Sequence, residues 1–442
     1  MNNNLLLDAN PDSTSTANAN AAYRKVAWRL LPLLGLCYIL AYLDRINIGF
    51  AKLQMSADLG FSEAVYGLGA GIFFIGYFLF EVPSNVILHK VGARRWIARI
   101  MMTWGLVSLA MMWVTTAEMF YLLRFLLGIA EAGFFPGIIL YLTYWFPAER
   151  RGRINALFMI AIALAGLIGG PLSGWILDNF DGHFGWAAWQ WLFLLEGLPP
   201  IFMGLVILFW LDDRIADAKW LTPNEKALLA APIAAEEARK PSPPLREVLT
   251  TGHIWWLSSI YFCLVMGLYG LGFWLPSLLR DSGTTDPLMI GLLSAIPYAL
   301  AIPTMVLVGK AGDRRGERRW TLALPALAGA LGLGLSVVWA DHPWLALAAL
   351  SLATMGIMSA LPAFWSLPAA LLSGTAAAAG IALINALGNL AGFLGPVAIG
   401  WLRDATQNPG AGMPLLILAL VLGAILVLRI PARLVNDARK AG

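Results

Sequence analysis

Charge is scarce in this sequence. Asp, Glu, Lys and Arg make up 13% of the 442 residues, apolar residues 59%, and mean hydropathy is +0.71. That balance excludes a soluble enzyme of this size. Cysteine is nearly missing: Cys37 and Cys263 both fall inside apolar runs, where packing fits better than a disulfide or thiol chemistry. The four histidines (His89, His183, His253 and His342) stand near run ends or in loops and have no metal-ligand spacing. No phosphate-binding Walker loop occurs, which argues against an ATP-driven pump, and no cofactor or metal is expected. The alternation of barrel strands is absent too, which excludes a membrane β-barrel. Residues 1–22 are rich in Asn, Ala and Ser without an apolar core, so they read as a disordered cytoplasmic tail and not a signal peptide.

What is present is length. A membrane helix needs roughly 20 mostly apolar residues. Such runs occur at about 28–50, 63–88, 96–116, 118–144, 153–178, 188–211, 254–279, 288–309, 319–340, 343–370, 379–402 and 412–430. The expected fold is therefore an all-α membrane protein with twelve transmembrane helices. The net charge of +4 does not point to nucleic acid, because the basic residues are placed by topology. Outside the runs, Lys52, Arg280 and Arg403 fall with the 1–2, 7–8 and 11–12 loops; the other Lys and Arg fall with the termini and the even-to-odd loops. The positive-inside rule then puts both termini in the cytoplasm of an inner (plasma) membrane protein.

One long polar break, residues 212–253, divides the runs six and six. It reads as a cytoplasmic linker between halves at 23–211 and 254–431, with a short helix around Thr222–Ala238 and a second tail at 432–442. The halves repeat. His89-Lys90-Val91-Gly92-Ala93-Arg94-Arg95 after run 2 corresponds to Asp313-Arg314-Arg315-Gly316-Glu317-Arg318-Arg319 after run 8, at an offset of 224. Gly170-Pro171 with Gly174-Trp175 and Asp178 corresponds to Gly395-Pro396 with Gly400-Trp401 and Asp404, at offsets of 225 and 226. Two matches at nearly one offset indicate duplication, and two parallel halves with a site between them are the plan of many secondary transporters.

Every ionisable residue placed deep in a run lies in the first half: Asp44, Arg45, Glu81, Arg124, Glu131 and Glu196. A charge at mid-bilayer costs about 2.5–3.5 kcal/mol on insertion scales, so these residues are candidates for a watered cavity, mutual pairing or charge movement. Arg124 and Glu131 are seven apart, roughly 10 Å along one helical face. By depth, Asp44 and Arg124 are expected to form a pair that proton or substrate binding breaks, the alternative being a permanent structural ion pair. Glu131, near the midplane, is the best candidate for proton coupling, the alternative being a hydrogen bond in a buried network. Arg45 presents a planar fork suited to a carboxylate, unless it stays paired with Asp44 or Glu131. Tyr77 is placed to donate to substrate. Glu81 reads as structural or gating, facing Arg residues of the 4–5 loop, and Glu196 as a packing group. The second half supplies neutral candidates: Tyr269, Asn385 and Asn389.

The loop Gly309-x3-Asp313-Arg314-x-Gly316-x-Arg318-Arg319 resembles the signature loop of the major facilitator superfamily. The first copy departs from it, with His89 for the usual Asp and Asn85 for the first Gly, which puts the first-half gating salt bridge in doubt. The segments Tyr42-Leu-Asp44-Arg45-Ile-Asn47, Phe80-Glu81-Val-Pro83-Ser-Asn85 and Arg124-Phe-Leu-Leu-Gly128-Ile-Ala-Glu131 resemble the anion:cation symporter family, within it the tartrate-transporter-like branch. That resemblance implies a monomeric carrier with Asp44 and Glu131 as protonation sites. It implies Arg45 as carboxylate ligand. By position and polarity, Tyr77, Arg124, Tyr269, Asn385 and Asn389 are the further candidate substrate contacts, the alternative for the two Asn being bonds to neighbouring helices. Glu81, Asp313, Arg314 and Arg318 take gating or structural roles. The expected activity is import of a small organic anion (tartrate, a sugar acid or an aromatic carboxylate) by proton symport. The rivals are an exporter or exchanger of the same fold and, further off, a non-transporting sensor or enzyme.

Overall fold

A computed structural model describes residues 11–237, 252–371 and 376–436. Residues 1–10 of the expected tail 1–22, 437–442 of the expected tail 432–442 and 238–251 of the expected linker lie outside the described residues. Among the described residues seventeen α-helices follow one another: α1 (Pro11–Leu59), α2 (Glu63–Val91), α3 (Ala93–Ala110), α4 (Ala117–Glu131), α5 (Phe134–Thr143), α6 (Ala148–Asn179), α7 (Ala188–Trp210), α8 (Pro223–Glu237), α9 (Gly252–Asp281), α10 (Pro287–Arg315), α11 (Arg318–Val338), α12 (Pro343–Phe364), α13 (Ser366–Leu371), α14 (Ala376–Asn389), α15 (Ala391–Thr406), α16 (Met413–Leu428) and α17 (Ala432–Val435). Among the described residues, 11 helical segments are long and apolar enough to cross a membrane, and α16 is a shorter apolar helix at the place of the twelfth run. Because α1 begins at Pro11, the stretch 11–22 is helical where a disordered tail is expected.

The sequence repeat reappears as backbone. Gly92 ends α2 at φ +97° and Gly316 ends α10 at φ +65°, both in the region that glycine tolerates best. Two residues on, the Arg94 N–H donates to Asp213 Oδ1 at 2.8 Å and the Arg318 N–H to Asn436 Oδ1 at 3.0 Å. Each half thus anchors its loop with a side chain that follows its own sixth span. The linker helix α8 begins with a capping box: Glu225 N–H donates to Thr222 Oγ1 (3.3 Å) and Thr222 N–H to Glu225 Oε2 (2.8 Å). That amide, with Lys25 of α1 at 3.0 Å, holds the Glu225 carboxyl below the usual range.

The halves meet along two glycine-lined crossings, and the second motif of the repeat supplies both. A Cβ at Gly174 of α6 would sit 2.6 Å from the Pro287 carbonyl oxygen of α10, and one at Gly400 of α15 would strike the Glu63 carbonyl of α2. These backbone-to-backbone contacts leave no room for a side chain, as at other membrane-helix interfaces. Both crossings lie toward the end of the molecule that carries the 1–2, 7–8 and 11–12 loops.

Two spans depart from the regular α ladder in mid-course. The fourth breaks between Glu131 and Phe134, with Gly133 at φ +82°. The eleventh tightens at Leu390, which stays in the right-handed helical region while its N–H donates to the Leu387 carbonyl three residues back. Neither irregularity is visible in the hydropathy pattern. Non-helical backbone at membrane depth, as at Gly133, survives only where protein or a cavity covers it. Glu131 and Asn389 are the residues on which the two preceding helices end.

Candidate functional site

The irregular turns and the buried charges converge on one place. Arg45 stands about four turns from the end of α1 and is buried at 6% exposure. Its Nη2 forms an ion pair with Glu131 Oε1, and its Nη1 donates to the Tyr269 hydroxyl of α9 at 2.7 Å. One guanidinium therefore joins a carboxylate of the first half to a phenol of the second. Glu131 Oε2 and Arg45 Nε have no protein partner. The guanidinium also lies over the rings of Phe73 (5.2 Å) and Tyr77 (5.5 Å), which favours the cation in an otherwise low-dielectric site.

A cavity of about 30 Å³ adjoins this pair. Its wall includes Tyr38, Tyr42, Arg45 and Tyr77 from the first half and Tyr261, Tyr269, Asn385 and Asn389 from the second. That volume is about one water molecule, so an organic ligand requires the walls to part. Tyr38, Tyr42 and Arg45 are spaced i, i+4, i+7, and Tyr261, Val265 and Tyr269 i, i+4, i+8. The helical period presents each set on one face.

Tyr77, Tyr269, Asn385 and Asn389 are thus gathered with Arg45 and Glu131. Asp44 and Arg124 are not. Asp44 accepts from Trp104 Nε1 at 2.6 Å and Ser108 Oγ at 2.8 Å, on the side of α1 that faces α3. Adjacent helix residues point about 100° apart, so Asp44 and Arg45 cannot share a direction. Arg124 donates to the carbonyls of Gly69 (3.1 Å) and Ala70 (3.3 Å) and lies over the Phe73 ring at 5.1 Å. The expected Asp44–Arg124 pair is absent from these bonds: each side chain bonds a different neighbouring helix, and Arg124 Nη1 has no protein partner. Glu81 accepts from Asn385 Nδ2 at 3.0 Å, across the halves, and, among the described side chains, not from an Arg of the 4–5 loop; Arg151 of that loop pairs instead with Glu236 at 2.8 Å. Glu196 accepts from Ser173 at 2.9 Å within the first half, in line with a packing role.

The signature loop sits apart from the cavity. Arg318 Nη1 reaches the Ser366 carbonyl at 3.5 Å, Arg314 is exposed, and the side chain of Asp313 lies outside the described residues. In the first copy His89 Nδ1 is 3.0 Å from the Tyr144 hydroxyl. Among the described residues no three His, Cys, Asp or Glu side chains could hold a metal ion. Sequence reasoning missed Tyr38, Tyr42 and Tyr261, although their spacing with Arg45 and Tyr269 is a usable signal. It also missed Lys52 and Arg403, which are buried at 1% and 6% exposure where loop-side solvation is expected.

Comparison with known proteins gives the architecture a family. The profile described as Major Facilitator Superfamily matches residues 34–396. A protein of Pseudomonas putida named "Putative metabolite transport protein NicT" is 47% identical over 94% of this chain and 96% of its own length. One of Agrobacterium vitis named "Putative tartrate transporter" is 47% identical over 92% and 93%. The "Quinolone resistance transporter" of Acinetobacter baumannii is 42% identical over 93% and 95%. In fold, the xylose transporter XylE of E. coli, solved in a partially occluded inward-open conformation, aligns with a TM-score of 0.73 at 14% identity, covering 92% of this chain and 98% of that one.

Proposed function

The chain belongs to the Major Facilitator Superfamily and is a membrane transporter, not an enzyme; from that premise we propose that it imports a small organic anion by proton symport and alternating access. The observation that carries this reading is the Arg45–Glu131 pair at the junction of the halves, beside a cavity walled by tyrosines and two amides. A buried guanidinium whose partner is a carboxylate can exchange that partner for another carboxylate of similar geometry. Substrate and Glu131 then compete for Arg45. A proton on Glu131 releases the guanidinium, and the incoming carboxylate takes its place, so neither ion is seated without the other.

The cavity wall narrows the cargo. Arg45 suits one carboxylate of the cargo, and a second, as in tartrate or phthalate, rests on neutral donors of the wall. Phenol and amide groups supply donors and acceptors for hydroxyls, while the tyrosine faces suit a flat or compact body. A hydroxylated acid or an aromatic carboxylate fits that wall, and the relatives named for tartrate and metabolite transport are consistent with the class. Asp44 enters as the second protonatable carboxyl, coupled to the cavity through its position next to Arg45 on α1. Arg124 adds positive potential behind Phe73 without touching the ligand. The carrier works as a monomer in the inner membrane with both termini cytoplasmic, and Asp313, Arg314 and Arg318 act in the gating loop on that side.

The relative named for quinolone resistance favours a second reading, a proton-driven exporter of the same fold. Uptake into proteoliposomes separates the two. The panel is tartrate, a sugar acid, 4-hydroxyphenylacetate, phthalate and nicotinate, with an inward proton gradient. Accumulation of one acid, abolished by Arg45→Lys, supports import. Accumulation only when the gradient is reversed supports export, and dependence on sodium alone overturns proton coupling.

A further inference from the structure

A second charged cluster takes no part in that chemistry. Lys52, in the last two turns of α1, places Nζ 2.7 Å from Glu63 Oε2 and 3.2 Å from Ser277 Oγ. Arg403, in the last turn of α15, places Nε 3.0 Å from the same Glu63 oxygen and Nη2 2.6 Å from Asp281 Oδ2. Both cations lie over the indole of Trp274, at 4.0 and 4.7 Å. Each half contributes one cation and one carboxylate. Lys52–Ser277 and Glu63–Arg403 cross from half to half. Around them, Asp404 Oδ1 and Oδ2 accept from the Glu63 and Ala64 N–H groups (3.0 and 2.8 Å), Tyr66 donates to the Phe273 carbonyl (2.9 Å), and Arg280 to the Leu53 carbonyl (3.2 Å). All of these bonds join the halves at the end where the glycine crossings bring the backbones together.

The physics of such a cluster is bistable. Buried charges are tolerable while each has its partner, and tolerable again when water reaches them. A partial separation strips partners before it admits water, so the intermediate is costly and the closed and open arrangements are the stable ones. The cluster is also tied to the cavity. Tyr269, Phe273, Trp274, Ser277 and Asp281 line one side of α9 over twelve residues, about 18 Å. The first of them accepts from Arg45 and the last holds Arg403.

We propose that Lys52, Glu63, Asp281 and Arg403 are the outer gate of the transport path, a two-state lock that α9 links to Arg45. The proposal rests on membership of the family and not on the carboxylate or proton reading. The outer loops Thr115 and Asp341 report on it, one from each half and both exposed. In a Cys37→Ala, Cys263→Ala background, spin labels at Thr115→Cys and Asp341→Cys give an interhalf distance in lipid nanodiscs without substrate. Wild type is expected to populate mainly the short distance. Arg403→Gln and Lys52→Met are expected to raise the long-to-short ratio about tenfold or more, Arg403→Lys less, and Lys25→Gln, at the opposite end, not at all. Unchanged distances in folded, monodisperse Arg403→Gln and Lys52→Met overturn the proposal. So does an equal shift in Lys25→Gln. If Arg403→Gln does not fold, Glu63→Gln, which keeps a hydrogen-bonding group of the same size, carries the same test.

Discussion

Glu131→Gln is the perturbation that most directly tests competition for Arg45. The amide has the size of the carboxylate, and its oxygen can still accept from Arg45 Nη2, so the guanidinium keeps a hydrogen bond while it loses its counter-ion. What changes is the strength of the bond the substrate must displace. The bond to the amide still has a charged donor and contributes about 1.5–3 kcal/mol; the carboxylate adds the attraction of a second charge, about 4 kcal/mol at 4 Å for an effective dielectric near 20. Losing about 1.4 kcal/mol of that attraction is already about tenfold in a binding constant. Glu131→Gln is therefore expected to bind the transported acid about tenfold more tightly near neutral pH, an unusual sign for a mutation in a binding site. Wild type is expected to bind better as pH falls, because protonated Glu131 stops competing, and the variant should lose that dependence. Titration calorimetry in detergent or nanodiscs at several pH values measures both. Weaker binding by the variant, or an intact pH dependence, refutes the competition. Concentrative uptake driven by the proton gradient should vanish in the same variant while counterflow exchange persists.

Other consequences are as specific. Asn385→Leu leaves Glu81 buried without its donor and should destabilise by about 1–3 kcal/mol, whereas Glu81→Gln, which keeps the contact, should cost less; thermal unfolding of the two variants checks the order. Gly400→Ala sets a methyl against the Glu63 carbonyl, 3.1 Å from the Glu63 carbonyl carbon and 3.2 Å from the Gly67 Cα. Backbone cannot yield by a rotamer change, so the closed crossing should lose about 1–3 kcal/mol, read as increased alkylation of cysteines placed in the outer vestibule. Thr222→Ala removes the cap of α8 and should weaken that helix by about 1 kcal/mol, visible as faster amide exchange in 223–226. Because Glu225 titrates below its usual range, its contribution to that cap is present at neutral pH and lost as pH falls through the lowered value.

Much of this molecule is local and therefore legible in one dimension. Twelve apolar runs follow from composition summed over about 20 residues, and the charge bias of the loops from counting. Gly92 and Gly316 follow from a repeat whose turns need positive φ. Arg45 and Glu131 stood out as costly charges at the right depth, and Tyr269, Asn385 and Asn389 as polar groups in otherwise apolar spans. Partnership was not legible. Depth along a span said that Asp44 and Arg124 were level, but not that α1 turns Asp44 toward Trp104 and Ser108 while α4 turns Arg124 onto the carbonyls of α2. Lys52 and Arg403 looked like loop-side charges because hydropathy registers distance from the midplane and not the approach of another helix. The break after Glu131 and the tightened turn after Asn389 also escaped, since apolar side chains continue through both. Insertion into the bilayer is a sum over neighbours in sequence; pairing depends on rotations and crossings set by residues from 54 to more than 200 positions away, and only the packed helices decide it.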